Sequence, residues 1–310
     1  MKHGGNVWDD NKPAQWLDFS ANLRPEGTPE WVRHVMEEAL KDADMALFSV
    51  PAQAFRANFE KAVPYLEDHT IVVNVAKGIE ESTLMTLCEI IEQEIPQADV
   101  AVLSGPTHAE EVAKDLPTTI VSACEDAAVA QRVQSVFGNT CMRVYTNDDV
   151  LGVELCGAMK NIIALASGVA LGLGYGDNTK AALITRGMAE IARLGEAMGC
   201  KPQTFGGLAG IGDLIVTATS VHSRNNRCGM LLGKGVAPAE AVKQVGMVVE
   251  GINALPAAMR LAEKYQVEMP IVAAVNAVVN EGADPNDAVA KLMSRDQKPE
   301  LPAEALRNPY

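Results

Sequence analysis

From about Glu37 to Asn147, short β-rich runs alternate with stretches of helical period. Met45–Val50, Ile71–Val75, Val100–Leu103, Thr119–Ser122 and Met142–Tyr145 read as strands. Ala54–Val63, Ser82–Glu92, Ala109–Lys114 and Asp126–Phe137, which separate them, read as helices. This alternation predicts an α/β unit with a mostly parallel sheet and helices on its faces. After Asn147 the strand pattern ends. Val153–Leu171, Lys180–Met198, Asn225–Gly233, Pro238–Val245, Asn253–Tyr265, Ile271–Asn280 and Pro285–Leu292 all read as helices. The chain thus divides into an atypical segment over 1–36, an α/β domain over 37–147, a helical domain over 148–300 and a tail over 301–310. The first segment holds all three tryptophans, Trp8, Trp16 and Trp31, and only a weak strand at Trp16–Phe19.

Composition narrows the classes. A 310-residue chain that is 48% hydrophobic and 21% charged is globular and long enough for two cores. The net charge of -14 argues against nucleic acid as the main partner, while leaving room for a small anion wherever basic groups converge. The six cysteines are scattered, with no paired ligand spacing, so a metal site is not expected and a reducing, cytoplasmic location is. Between Glu154 and Asp177 only Lys160 is charged, and the run is long enough to span a bilayer. A lysine in mid-span is costly in lipid, so a buried helix of a globular core, without stable membrane insertion, is the expectation.

Ligands of open α/β sheets bind at the carboxyl ends of the strands, which singles out three loops. Phe48-Ser-Val-Pro51 ends one strand, and Val75-Ala-Lys77-Gly places a lysine at the end of the next. In Leu103-Ser-Gly105-Pro-Thr107-His-Ala109, strand, turn and helix start suit an oxyanion or phosphate. Each alone could be an ordinary turn; together they mark one edge of a sheet. In the helical half, Lys160 sits on an apolar helix. It either snorkels to the surface or reaches a buried partner, where desolvation would lower its pKa and suit it to proton exchange. Gly206–Asp213 is glycine-rich but follows no strand, so it is not a dinucleotide loop. Ser223-Arg224-Asn225 opens a helix and could clamp a phosphate, or form a solvated basic patch. Val248-Val-Glu250-Gly251 is a further island that could cap a site.

Taken in order, Phe48–Pro51, Ala76-Lys-Gly78, Ser104–Thr107, Val153–Asn161, Gly207–Asp213, Ser223–Asn225 and Val248–Gly251 resemble the bacterial-type NAD(P)-dependent glycerol-3-phosphate dehydrogenases from about Glu37 to Glu300. The resemblance implies a truncated Rossmann-like parallel-sheet domain followed by an all-helical domain. It implies NAD or NADP as cofactor and a small phosphate substrate. The reaction would be interconversion of dihydroxyacetone phosphate and sn-glycerol 3-phosphate for phospholipid synthesis. It implies Lys160 and Asp213 as catalytic, and Lys77, Gly105, Thr107, Ser223, Arg224 and Asn225 as further substrate-binding residues. Lys77, Ala109, Arg224, Val248 and Glu250 would contact the cofactor. It also leaves room for a homodimer.

One part of the family pattern is not met. The family opens with a strand, a GxGxxG-type loop and a second strand, and residues 1–36 carry none of these. His3–Asn6 and Leu17–Gly27 are instead similar to the opening of the PLP-dependent threonine-phosphate decarboxylases, as in a joined or mis-started gene product or an unusual natural fusion. The alternative function is a family member that binds glycerol phosphate without turnover.

Overall fold

A computed structural model describes residues 38, 40, 43–67, 70–297, 299 and 300. The Trp16–Phe19 strand, the first segment's likeness to the PLP enzymes and the 301–310 tail lie outside the described residues.

Five strands form one sheet in the order β1 (Met45–Phe48), β2 (Ile71–Asn74), β3 (Asp99–Ser104), β4 (Thr118–Ala123) and β5 (Met142–Asn147). β1, β2 and β3 are parallel, β3 and β4 antiparallel, and β4 and β5 parallel. The five strands predicted between Met45 and Tyr145 are all present. In β3 only Asp99 is exposed, as expected of a strand covered on both faces, whereas β5 buries only Val144 and lies at an edge. Because β1–β3 are parallel neighbours, their carboxyl ends bring Phe48, Asn74 and Ser104 to one side of the sheet.

The helices α1 (Phe55–Ala62), α2 (Leu87–Glu94), α3 (Ala109–Val112) and α4 (Ala127–Phe137) connect the strands. Two apolar clusters form around the sheet. Phe55, Phe59 and Ile91 centre one, and Val73, Ile120 and Val133 the other. The helix expected over Ser82–Glu92 starts only at Leu87. Leu84 adopts a left-handed φ of 65°, and Thr86 with Glu89 forms a capping box that fixes the start there.

From residue 150 onward the described chain is helical. α5 (Val150–Gly172) starts three residues before its predicted position because Asp149 caps it, accepting from the Gly152 N–H at 3.0 Å. It is the one helix among the described residues long and apolar enough to cross a membrane, and it is buried within the fold. α6 (Asp177–Met198) packs beside it. α7 (Pro202–Phe205), a π-helical turn over Leu208–Gly212 and α8 (Asp213–Thr219) follow, so the glycine run is a helical elbow rather than an open loop. α9 (Arg224–Gly233), α10 (Pro238–Val245), α11 (Glu250–Asn253), α12 (Leu255–Lys264), α13 (Pro270–Asn280) and α14 (Pro285–Met293) complete the helical part. The single helix expected over Asn253–Tyr265 is divided at Ala254, just ahead of Pro256, which lacks the N–H a continuous helix needs.

α5 and α9 cross with their backbones nearly in contact. A β-carbon on Gly168 would lie 2.1 Å from the Asn226 carbonyl oxygen, and one on Gly229 would lie 2.1 Å from that of Leu165. Only glycine permits this approach. It brings the start of α9 beside the middle of α5.

Glu190 of α6 is buried and accepts the Ile271 N–H at 2.8 Å, satisfying the start of α13. Burial, opposed by the Ile271 and Val272 N–H groups, raises its pKa from 4.5 to about 7. A carboxyl whose folded pKa is raised binds its proton more tightly in the native state. Its contribution is therefore full below 4.5 and is lost as pH rises through about 7. Glu190→Gln should flatten the fall in stability across that window. Urea midpoints measured against pH test this, and parallel curves for the two proteins would count against it.

Candidate active site where the sheet meets the helices

The Lys77 loop leaves β2 along α5. Gly157 of α5 leaves room for it, since a β-carbon there would lie 3.2 Å from Lys77 Cγ. Lys77 Nζ donates to Asp213 Oδ2 at 2.6 Å and to the Gly105 carbonyl at 3.1 Å. The other Asp213 oxygen, Oδ1, accepts a short hydrogen bond from Lys160 Nζ. Lys160 also donates to Thr217 Oγ1 at 2.8 Å. Lys160 is 6% exposed, so the surface-snorkelling reading is overturned: its ammonium has a buried carboxylate partner. The cluster draws on β2, β3, α5 and α8.

Its electrostatics follow from burial and the unequal count of charges. Two ammonium groups flank one carboxylate. Burial lowers the pKa of Lys160 to about 7, with Lys77 adding repulsion and Asp213 opposing both. Burial alone would raise Asp213, but the attraction of Lys77 and Lys160 outweighs it and holds the carboxyl below 3.8. A fixed carboxylate beside a lysine poised near neutrality can orient a proton donor.

Of the other predicted residues, Gly105 bonds Lys77, Thr107 bonds Gly105, and Asn225 bonds Asn161, the neighbour of Lys160. Gly105 adopts a φ of 147°, open to glycine, and its β-carbon would lie 3.1 Å from Ile120 Cα. Thr107 Oγ1 donates to the Gly105 carbonyl at 3.1 Å. Ser223 caps α9 by accepting the Asn226 N–H at 3.2 Å. Asn225 donates to Asn161 Oδ1 at 2.9 Å and accepts the Gly251 N–H at 2.8 Å, tying α5, α9 and α11 together. Arg224 is exposed at the first turn of α9. Burial raises Glu250, while the charge of Arg224 opposes this, so these two also share an environment. Ala109, at the start of α3, and Val248 are exposed and present only apolar side chains. Thr217 was not singled out for the site. Its position four residues after Asp213 on a helix is the signal that could have found it. A groove of about 590 Å³ bordered by α5, α6, α13 and α14 is separate, and none of these residues lines it.

Fold and site define an α/β class of protein in which an open sheet delivers a basic, proton-handling cluster onto a helical partner. Two family models match the chain. The NAD-dependent glycerol-3-phosphate dehydrogenase N-terminus covers residues 30–130, and the C-terminus covers residues 149–290. A glycerol-3-phosphate dehydrogenase (NAD(P)+) 2 of Lactobacillus delbrueckii subsp. bulgaricus is 60% identical over 281 residues, 88% of this chain and 83% of that protein. A glycerol-3-phosphate dehydrogenase (NAD(P)+) of Agathobacter rectalis is 54% identical over 263 residues, 85% of this chain and 78% of that protein. The crystal structure of the Coxiella burnetii glycerol-3-phosphate dehydrogenase superposes with a TM-score of 0.80 at 38% identity, covering 84% of this chain and 80% of that one. The chain belongs to the NAD-dependent glycerol-3-phosphate dehydrogenase family. The likeness of residues 1–27 to PLP-dependent decarboxylases is not borne out, since the family match begins at residue 30 and the relatives named are all dehydrogenases.

Proposed function

We propose that the chain is an NAD(P)-dependent glycerol-3-phosphate dehydrogenase, interconverting dihydroxyacetone phosphate and the sn-glycerol 3-phosphate that phospholipid synthesis consumes. The observation that carries the reading is Asp213 bridging Lys77 and Lys160 at the carboxyl edge of the sheet. The similarity of 60% and 54% to relatives of that name favours this over the alternative of a binder without turnover.

The residues present suit the reacting end of a nicotinamide cofactor. Ser104 Oγ, at the end of β3, is the one buried side-chain polar atom without a hydrogen-bond partner among the described residues, and it adjoins Gly105. Lys77, Ala109, Arg224, Val248 and Glu250 are the residues we assign to holding the cofactor. A strand followed by GxGxxG, which would cradle its pyrophosphate, is not present in the sequence. The chemistry supplied by the bound nicotinamide is hydride transfer to or from the substrate's central carbon. Residues 37–147 form the cofactor half in this reading, and residues 148–300 the substrate half.

During reduction Lys160 donates a proton to the carbonyl oxygen, and during oxidation it takes one from the hydroxyl. Asp213 holds that ammonium in place, and Lys77 adds positive charge where the oxygen becomes negative. Gly105 and Thr107 shape the wall beside it. The phosphate dianion sits at the start of α9, held by Arg224, Ser223 and Asn225 with the backbone and dipole of that helix. Arg224→Ala should raise the KM for dihydroxyacetone phosphate about 10- to 100-fold, the loss of a hydrogen bond to a charged group, with a smaller change in kcat. Initial rates over a range of substrate concentrations test this, and an unchanged KM would place the phosphate elsewhere.

All six cysteines are free thiols, five of them buried, in keeping with a reducing cytoplasmic compartment. The reading admits a homodimer, which a sedimentation measurement decides.

A further inference from the structure

The end of β2, from which Lys77 reaches Asp213, is hydrogen-bonded to α5 through side chains outside the cluster. Asn74, the last residue of β2, is fully buried. Its Oδ1 accepts the Ala76 N–H at 2.9 Å and its Nδ2 donates to the Ala76 carbonyl at 3.2 Å, so the amide folds the chain just ahead of Lys77. The same Nδ2 donates to Glu154 Oε1 at 2.9 Å. Glu154 lies on α5 three residues before Gly157, past which Lys77 runs, and six before Lys160. It also accepts the Cys88 N–H near the start of α2, at 3.1 Å to Oε1 and 3.3 Å to Oε2. One carboxylate therefore fastens β2 and α2 to the helix that carries Lys160.

We propose that Glu154 is a positioning residue for the reaction: through Asn74 it sets the loop that delivers Lys77 to Asp213 and to the substrate. This rests on the function proposed above. A purely architectural Glu154, serving only to satisfy α2, would affect folding and leave the geometry of Lys77 alone. A positioning Glu154 acts through Lys77 and becomes silent once Lys77 is removed. Asn74 Nδ2 and the Cys88 N–H both donate to Oε1, so glutamine could keep both bonds, whereas leucine at 154 keeps similar bulk and removes every acceptor.

The experiment compares Glu154→Leu in the intact protein and in the Lys77→Ala background. Glu154→Leu is expected to lower kcat/KM for dihydroxyacetone phosphate about 10- to 100-fold, the range for a misplaced reacting group. In Lys77→Ala it should cause no further loss. An equal loss in both backgrounds, or none in either, overturns the proposal. Asn74→Ala breaks the same link from the sheet side, and should reproduce the loss if Glu154→Leu does not fold. A second measurement is independent of turnover. With the lysines carrying 13C-methyl labels, the Lys77 resonance, identified by its absence from Lys77→Ala, should move in Glu154→Leu or Asn74→Ala. If the parent protein fails to turn over dihydroxyacetone phosphate, the proposed function fails, and this resonance still decides the positioning role. A shifted signal supports it, and an unmoved one overturns it.

Discussion

Lys160→Ala should lower kcat for dihydroxyacetone phosphate reduction by about 10²- to 10⁴-fold, the usual contribution of a positioned general acid. The size of the effect follows from position. The ammonium is buried, bonded to Asp213 and Thr217, and near neutrality because burial lowers its pKa to about 7. Lys160→Arg should not restore the rate, since a guanidinium holds its proton throughout the working pH range and presents a planar fork where a single nitrogen is needed. The pH dependence has a definite sign. Reduction needs the protonated lysine, so kcat/KM in that direction should fall as pH rises through about 7. Oxidation needs the neutral amine and should rise over the same interval. Profiles in both directions check this, and limbs with the same slope would remove Lys160 as the titrating group.

Gly229→Val should destabilise the fold by more than about 3 kcal/mol, the upper range for overpacking. Its β-carbon would be driven to within 2.1 Å of the Leu165 carbonyl oxygen, a backbone atom that cannot rotate away. Relief requires α5 and α9 to separate. That would also displace Asn225 from Asn161 and draw the proposed phosphate seat away from Lys160. Urea unfolding followed by circular dichroism measures the loss. A midpoint equal to the parent's would show that the crossing is looser than described.

Local pattern made much of this architecture legible. The buried apolar runs of β2 and β3 and the long apolar helix α5 stand out because burial on both faces, or all round, removes polar positions. The antiparallel pairing of β3 with β4 was not legible, since an apolar run carries no direction. The start of α2 was open to a closer reading, because Thr86 and Glu89 already have capping-box spacing. The helical elbow at Leu208–Gly212 was hidden by its glycines, which favour loops unless tertiary packing holds them.

The candidate site divides along the same line. Lys77, Gly105 and Thr107 were prominent as residues following strands. Lys160 was ambiguous by itself because its partner, Asp213, lies 53 residues further along the chain. Family resemblance named both residues, and the fold supplies the contact. Glu154 and Asn74 illustrate what remained hidden. A buried carboxylate is explained by its bonding partner, here 80 residues away, and no periodicity records that contact.

In the proposed mechanism Lys160, held by Asp213, transfers the proton that accompanies hydride transfer to dihydroxyacetone phosphate. Its most direct test follows NADH or NADPH oxidation by the purified chain on addition of dihydroxyacetone phosphate, beside Lys160→Ala. Nucleotide oxidation matched mole for mole by sn-glycerol 3-phosphate is expected, with its near-abolition in the variant. No oxidation by the folded parent protein, or an undiminished rate in Lys160→Ala, would contradict it.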